Sequence, residues 1–262
     1  MLARLASAVV ISLAIALLAR RSGSLSNSGA IAAMAIGVLA LLAGWSWGVL
    51  LIAYFVGSSA LSRYGERRKQ NFTASVVAKG GARDAAQVLA NGGIFAVAAL
   101  LVIADPTYAA HWQALGAGVL AASASDTWAT EIGTLVGGPP RSIIGWRPLP
   151  RGMSGGVTLA GTLAALAGAS FVAIVAAALH WPSRVVVASL IGGFIGSTVD
   201  SLLGATLQTR RHCDACDRAT ERLIHDCGAP TRRAGGVPWL SNDTVNFVSG
   251  WAGGLLALLL TG

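Results

Sequence analysis

Long apolar segments alternate with short polar ones along the whole chain of 262 residues. A membrane-spanning helix needs ~20 predominantly apolar residues, within a range of about 17–25. The pattern therefore predicts an all-α polytopic membrane helix bundle, with about eight transmembrane helices in a single integral-membrane domain over 1–262. The apolar segments fall at about 2–19, 28–43, 47–62, 85–104, 114–136, 156–180, 184–207 and 243–261.

The segments 28–43 and 47–62 are short for spanning helices, so the region 28–62 is either two spans or a re-entrant hairpin. The connection 44–48 contains two glycines, which suit a tight turn, and two tryptophans, which suit a membrane interface. Merging the two segments would change the side of every later loop. The distribution of charge therefore favours two spans.

Composition and charge both support a membrane protein. Hydrophobic residues make up 54% of the chain and charged residues 11%, whereas soluble domains carry about 25% charged residues. All of the 19 Lys and Arg residues except Arg4 and Arg184 lie in loops on one side of the predicted bundle. The positive-inside rule then predicts a multi-pass protein of the cell (inner) membrane with these loops in the cytoplasm. The net charge of +8 reflects topology and anionic ligands, and no nucleic-acid partner is expected.

An internal repeat is indicated by two similar units at about 79–136 and 151–207. Each unit opens at a glycine-rich basic loop and closes with the pattern small-Ser-x-x-Asp-(Ser/Thr), which contains Asp126 or Asp200. Both units begin and end on the same side, so the repeat would be parallel and would bring the two aspartates to similar depths. A chance match between glycine- and serine-rich sequences is the alternative.

Carboxylates inside apolar segments are the first candidates for chemistry: Asp126 and Glu131 in one segment, Asp200 in another. A charge at mid-bilayer costs ~2.5–3.5 kcal/mol on insertion scales, so such residues usually mark functional sites. Neighbouring hydroxyl groups would add ligand oxygens; these belong to Ser123, Thr127, Thr130 and Ser197. Clustered oxygen ligands suit Mg²⁺. Na⁺ binding or proton transfer would use the same residues, and a buried pair of Asp with Arg is the structural alternative.

Two glycine-rich basic loops are candidates for binding phosphate. Glycines ahead of a helix can form a nest of backbone N–H groups, and basic side chains add positive charge. The candidate residues are Lys79, Gly80, Gly81 and Arg83 in the first loop, and Arg141, Arg151 and Ser154 in the second. Because the first loop is not a Walker A motif, an ordinary basic flank of a spanning helix is the alternative. Two such loops above two intramembrane aspartates favour an anionic, phosphorylated ligand.

A cysteine- and histidine-containing loop occupies 208–241 and is predicted to be cytoplasmic. It contains all three cysteines of the chain in the pattern Cys-x2-Cys-x8-His-x-Cys, formed by Cys213, Cys216, His225 and Cys227. Three thiolates and one imidazole make a complete tetrahedral shell for a structural Zn²⁺. Unligated thiols in a reducing compartment are the alternative.

The entrance to the last segment is polar and lies on the same side as the basic loops. Ser241 or Asn242 can cap the helix, which alone would account for this sequence. Asp243 and Asn246 add further polar groups there, with Asn246 one turn after Asn242. We expect Asp243 to join the ligand site.

Together these motifs resemble one family, the integral-membrane family that includes plant phytyl-phosphate kinase and transmembrane protein nineteen. The most distinctive match is Ser-Asp-Thr-Trp-Ala-Thr-Glu-Ile-Gly at 125–133. The matching stretches cover nearly the whole chain and lie at 26–29, 79–83, 87–93, 125–133, 139–141, 154–158, 196–206 and 242–246. Through the stretch 87–93 the resemblance also adds Asn91 to the phosphate-binding candidates.

The resemblance implies transfer of a phosphoryl group from a nucleoside triphosphate to an isoprenyl monophosphate, with membrane lipids around the site. CTP is the expected donor, because the related phytol and dolichol kinases use it. Mg²⁺ would lie between Asp126, Asp200 and Asp243, with Glu131 as an orienting residue or a metal ligand. Two other functions would use similar groups: a CTP-dependent cytidylyltransferase, or a transporter or flippase of an anionic lipid.

Overall fold

The computed structural model describes residues 2–262, and most of them are helical. Within these residues each of the eight predicted apolar segments coincides with a long helix, and one short helix, α4, lies in a loop. The helices are α1 Leu2–Arg21, α2 Asn27–Ala43, α3 Trp45–Arg63, α4 Glu66–Thr73, α5 Ala85–Ala104, α6 Ala109–Val136, α7 Leu159–Ala178, α8 Ser183–Thr206 and α9 Asn242–Leu259. A short 3₁₀ helix, Pro106–Tyr108, precedes α6.

Five of the helices are long and apolar enough to cross a membrane by length and composition alone, namely α1, α3, α5, α7 and α8. Helix α2 is shorter, with 17 residues, and α6 has 28 residues but carries Asp126 and Glu131. The chain is a polytopic helical membrane protein, as the hydrophobic pattern predicts.

The region 28–62 forms two separate helices, because α2 ends at Ala43 and α3 begins at Trp45. The two tryptophans of the turn behave differently from the expectation that both lie at an interface. Trp45 is 68% exposed, but Trp47 is 2% exposed. The Trp47 ring packs in the core against Phe95 and Trp181, at centroid distances of 5.3 and 5.2 Å. Aromatic packing therefore anchors this turn to α5 and to the connection before α8.

Helix α6 lies at the centre of the bundle and packs against α5, α7, α8 and α9. Small residues allow the helix backbones to approach closely, as is usual in membrane bundles. A Cβ on Gly193 of α8 would lie 2.5 Å from Cβ of Ala121, and one on Gly196 would lie 2.7 Å from Cβ of Ala122. The neighbouring helices therefore enclose much of α6. This helix begins at Ala109, earlier than the predicted apolar segment.

Two small antiparallel sheets lie in the loops and were not expected from the hydrophobic pattern. Strands β1 (Arg141–Ser142) and β2 (Gly156–Val157) pair within the loop before α7. Strands β3 (Arg210–Cys213), β4 (Arg218–Thr220) and β5 (Arg232–Gly235) form a sheet in the order β4-β3-β5. These strands are short and polar, so the period that identifies buried strands is missing from their sequences.

The basic loops gather at one end of the bundle, here called the basic face: the connections 22–26, 64–84, 137–158 and 207–241. The first two connections touch through a parallel bridge between Leu25 and Arg83. The third and fourth touch where Ser154 N donates a hydrogen bond to Glu221 Oε1 at 2.9 Å. The starts of α2, α5, α7 and α9 therefore lie at this face, together with the ends of α1, α3, α6 and α8.

Candidate functional site

Asp126 and Asp200 lie at the same level of the bundle, on the facing helices α6 and α8. Ala122 and Gly196 are in contact where the two helices cross, and each aspartate lies one turn after one of these residues. The charge of Asp126 acts on Asp200. Ser249 on α9 donates a hydrogen bond to Asp200 Oδ2 at 2.9 Å. Three helices thus bring two carboxylates together, and Asp200 is buried. This position is the one that the predicted repeat requires, although the repeat itself stays a prediction.

A buried carboxylate paired with a basic side chain was the structural alternative for these acids, and in the described part of the chain such a pair is found at Glu131 but not at Asp126 or Asp200. Among residues 2–262, neither Asp126 nor Asp200 lies within 4.0 Å of a basic side chain. Glu131 instead forms an ion pair with the buried Lys69 of α4. Lys69 Nζ also donates to the carbonyl oxygens of Leu61 and Ser62, at 2.9 and 2.7 Å. Glu131 therefore helps to dock α4 on the bundle.

A third carboxylate, Glu221, lies near the acidic pair and was missed by the sequence analysis. Its charge acts on Asp200, and burial raises the pKa of the Glu221 carboxyl above its ordinary value. The side chain of Gln208 donates to Ser154 Oγ at 2.7 Å and to Glu221 Oε2 at 3.2 Å. Glu221 lies among arginines in a polar loop, so nothing in its local sequence distinguishes it from a surface residue.

Lys79 connects the starts of α5 and α9. Its Nζ donates to Asp243 Oδ2 at 2.6 Å and to Asp84 Oδ2 at 2.9 Å. These two bonds raise the pKa of Lys79. Asp84 caps α5 in a capping box with Gln87, and the Gln87 backbone amide, followed by Lys79, lowers the pKa of Asp84. A cation thus lies between two helix N-termini.

Arg83 lies beside this group and faces α3. Its guanidinium donates to Ser59 Oγ at 3.0 Å and to Ser62 Oγ at 3.2 Å. The charges of Arg83 and Asp126 both act on the hydroxyl of Tyr54, also on α3. Arg83 of the basic loop and Asp126 are therefore linked electrostatically through Tyr54.

Three helices begin around this region. Ser26 caps α2, Asp84 caps α5 and Ser241 caps α9, the last through a 3.4 Å bond from Thr244 N. The cap predicted at Ser241 or Asn242 is therefore Ser241. Helix N-termini carry a partial positive charge and unpaired N–H groups, which favour a bound anion.

Several predicted residues extend this region. Ser123 Oγ donates to the Asn91 carbonyl at 3.2 Å, which places both near Tyr54. The Asn246 amide oxygen is buried without a hydrogen-bond partner among residues 2–262, and Asn242 is exposed one turn earlier. A Cβ on Gly80 or Gly81 would meet nothing within 4 Å, so this loop leaves open space beside Lys79.

Other predicted residues have separate partners. Arg141 is exposed and donates to the Trp146 carbonyl at 3.0 Å. The Arg151 guanidinium lies 4.2 Å from the centroid of Phe72 and bonds the Thr134 carbonyl at 3.4 Å. Thr130 is exposed, Thr127 is half-buried, and Ser197 is buried next to Gly196. Their predicted roles remain untested.

The four predicted zinc ligands cluster in the loop above the bundle. The ligand atoms of Cys213, Cys216, His225 and Cys227 all lie within 4.8 Å of one another. Cys227 Sγ is 3.7 Å from Cys213 Sγ and 3.2 Å from His225 Nδ1. The backbone amide of Ala229, then His225, lowers the pKa of Cys227 to about 6. Such a cluster could hold a metal ion.

The sequence is similar to known membrane proteins over almost its full length. It matches the integral membrane protein DUF92 family over residues 10–254. It is 34% identical to Protein PGR of Arabidopsis thaliana, over 94% of this chain and 92% of that protein. An uncharacterized membrane protein of Methanocaldococcus jannaschii is 27% identical, with 99% and 95% coverage.

Protein VTE6, chloroplastic, of Arabidopsis thaliana is 28% identical over 90% of this chain and 65% of that protein. No solved structure matches the chain. The family match and the PGR alignment each cover most of the chain, in agreement with the resemblance of the motifs. The chain therefore belongs to the integral membrane protein DUF92 family.

Proposed function

We propose that the protein is a membrane-embedded isoprenyl-phosphate kinase that transfers a phosphoryl group from CTP to an isoprenyl monophosphate. One observation carries the proposal: the charges of Arg83 and Asp126 both act on Tyr54, and Lys79 bonds Asp243 at the start of α9, the helix whose Ser249 bonds Asp200. An anionic headgroup can bind there while its lipid tail stays within the bilayer. The family resemblance supplies the reaction and the nucleotide.

The donor set suits Mg²⁺, which prefers carboxylates together with substrate phosphates. Asp126 and Asp200 would hold the ion, and the unpaired amide oxygen of Asn246 lies one turn from Ser249. Asp243 would join them once an incoming phosphate competes for Lys79, its present partner. A bound Mg²⁺ would neutralise charge on the nucleotide phosphates. Asp126 and Glu131 are electrostatically linked, which is consistent with the predicted orienting role of Glu131.

The reaction needs little proton transfer. An anionic oxygen of the lipid monophosphate attacks the γ-phosphorus of the nucleotide. The bond from that phosphorus to the β-phosphate oxygen breaks, and the nucleoside diphosphate leaves with the electron pair. Lys79, Arg83 and the starts of α2, α5 and α9 hold the phosphates in place and stabilise their charge. Positioning and charge stabilisation therefore account for catalysis, and no strong base is required.

We propose a structural Zn²⁺ for the Cys/His cluster. Three sulfur ligands and one nitrogen ligand complete a tetrahedral shell, so the site has no open position for chemistry. The same loop carries Glu221 and contacts the turn at Ser154. Zinc would thus stabilise the loop that carries Glu221. In this proposal the basic face lies in the cytoplasm of a cell with the protein in its inner membrane, where CTP is available.

The deciding experiment incubates purified protein with CTP labelled at the α- or γ-phosphate and an isoprenyl monophosphate. The proposal expects γ-label in the lipid diphosphate and release of CDP. Release of pyrophosphate with α-label in the lipid would instead identify a cytidylyltransferase. If the lipid and the nucleotide remain unchanged while labelled lipid crosses a vesicle membrane, the protein is a transporter or flippase.

A further inference from the structure

A long groove lies between α1, α2, α3 and α5 and ends at the candidate site. Its empty volume is about 820 Å³, which includes space open to the surroundings, so it is an open groove and not an enclosed cavity. Most of its walls are apolar, with side chains such as Ile15, Ile36, Leu51 and Phe55. The surface of the groove is therefore suited to contact with an apolar chain.

One charged side chain lines the groove, and it lies at the end next to the basic face: Arg83. Gln87 and Asn91 follow along α5, and the hydroxyl groups of Ser12 and Tyr54 lie deeper in the groove. Tyr54 is the residue on which the charges of both Arg83 and Asp126 act. The groove therefore reaches the phosphate-binding candidate Arg83, and Tyr54 links it electrostatically to Asp126. Its charge is suited to an anionic head at this end and an apolar tail along the rest.

The length of the groove follows from α2, which forms one wall. Gly29 contacts the Arg83 backbone, since a Cβ at Gly29 would lie 2.1 Å from the Arg83 carbonyl oxygen. Leu41, near the other end of α2, also lines the groove. At a rise of 1.5 Å per residue these positions are roughly 18 Å apart. At the far end Leu41 packs against Gly48, where a Cβ would lie 2.4 Å from Leu41 Cδ2. Helices α2 and α3 therefore meet at this end of the groove.

We propose that the groove binds the isoprenyl tail of the substrate, that Arg83 holds its phosphate, and that Leu41 limits the length of the chain. The inference rests on the proposed function for the identity of the substrate. Ala33 lines the middle of the groove, so a large side chain there would shorten the available length. Ala35 on the same helix is exposed and does not line the groove, so it provides a matched control.

The test measures binding without nucleotide, by native mass spectrometry of detergent-solubilised protein. The probes are geranyl, farnesyl and geranylgeranyl monophosphates. Ala33→Phe should weaken binding of the longest probe by about tenfold relative to the shortest, because buried chain length contributes to affinity. Leu41→Ala should favour the longest probe. Ala35→Phe should leave the order unchanged. Size-exclusion chromatography checks folding, and Leu41→Ala decides the matter if Ala33→Phe does not fold.

Each outcome bears on one proposal. If both groove variants rank the probes as the unaltered protein does, the groove does not bind the tail, even if the kinase reaction occurs. If bilayer phospholipid occupies the groove and the monophosphates do not displace it, the inference is also wrong. If the rankings shift as expected but CTP yields no lipid diphosphate, the lipid site stands and the proposed kinase function fails.

Discussion

Single carboxylates inside the bundle differ in their surroundings, and their substitutions should differ accordingly. Asp126→Asn and Asp200→Asn each remove a charge that has no basic partner within 4.0 Å among residues 2–262. Thermal stability should therefore hold, whereas kinase turnover should fall on the order of a hundredfold or more. Asp105→Asn, at the opposite end of α5, keeps its cap to Thr107 and should retain activity. Full activity of either first variant would remove that aspartate from the mechanism.

Substitution of Glu131 should lower stability, unlike substitution of either aspartate. Glu131→Gln leaves the buried Lys69 ammonium without its carboxylate, although two carbonyl acceptors remain. Stability should fall by about 1–3 kcal/mol, less than the usual cost of breaking a fully buried pair. Chemical denaturation in detergent measures this. Glu66→Gln, at the exposed start of the same α4, is the matched control and should have little effect. Unchanged stability of the Glu131 variant would mean that the pair does not hold α4.

At the scale of helices, the approach of α2 to α5 depends on one glycine. A Cβ at Gly29 would lie 2.1 Å from the Arg83 carbonyl oxygen, and a backbone atom cannot move aside as a side chain can. Gly29→Ala should therefore destabilise the protein by about 1–3 kcal/mol and reduce binding of the lipid phosphate. Gly93→Ala on α5 meets nothing within 4 Å and should be neutral or stabilising by up to about 1 kcal/mol. Thermal unfolding of both variants, measured together, tests the difference.

The loop 208–241 should depend on its metal. Freshly purified protein should contain about one Zn²⁺ per chain, and Cys213→Ser or Cys227→Ser should remove it. Because the shell is complete, the loss should lower thermal stability more than it changes the chemistry. His212→Gln alters a histidine of the same loop that is not in the cluster, so this variant should keep its zinc. Elemental analysis that finds no zinc in the unaltered protein would contradict the proposal.

At the scale of the whole molecule, the remaining question is which side of the membrane each end occupies. Single cysteines at Gly80 and Trp45 lie at opposite ends of the bundle, and both positions are exposed. An impermeant thiol reagent added to intact cells should label the cysteine at Trp45 and not the one at Gly80. Peptide-level mass spectrometry distinguishes the label on each introduced cysteine from label on the native cysteines. Labelling at Gly80 from outside would overturn the predicted orientation of the bundle.

The hydrophobic pattern and residue spacing were sufficient to predict the helical membrane class, the positions of the eight long segments and the clustered set of three cysteines and one histidine. These depend on local composition and spacing, which need no knowledge of neighbours. The sequence also singled out Asp126 and Asp200, because an acid inside an apolar segment is costly wherever the helix packs. The family could likewise be recognised from the motifs alone.

The contacts between polar groups became known from the packing of the helices and loops. This packing paired Glu131 with Lys69 and placed Glu221, from another loop, where its charge acts on Asp200. It also turned Trp47 into the core. Such contacts join residues far apart in the chain, and their local sequences look like ordinary loop or interface sequence. Burial and pairing depend on how the helices pack, and that packing is a property of the whole bundle.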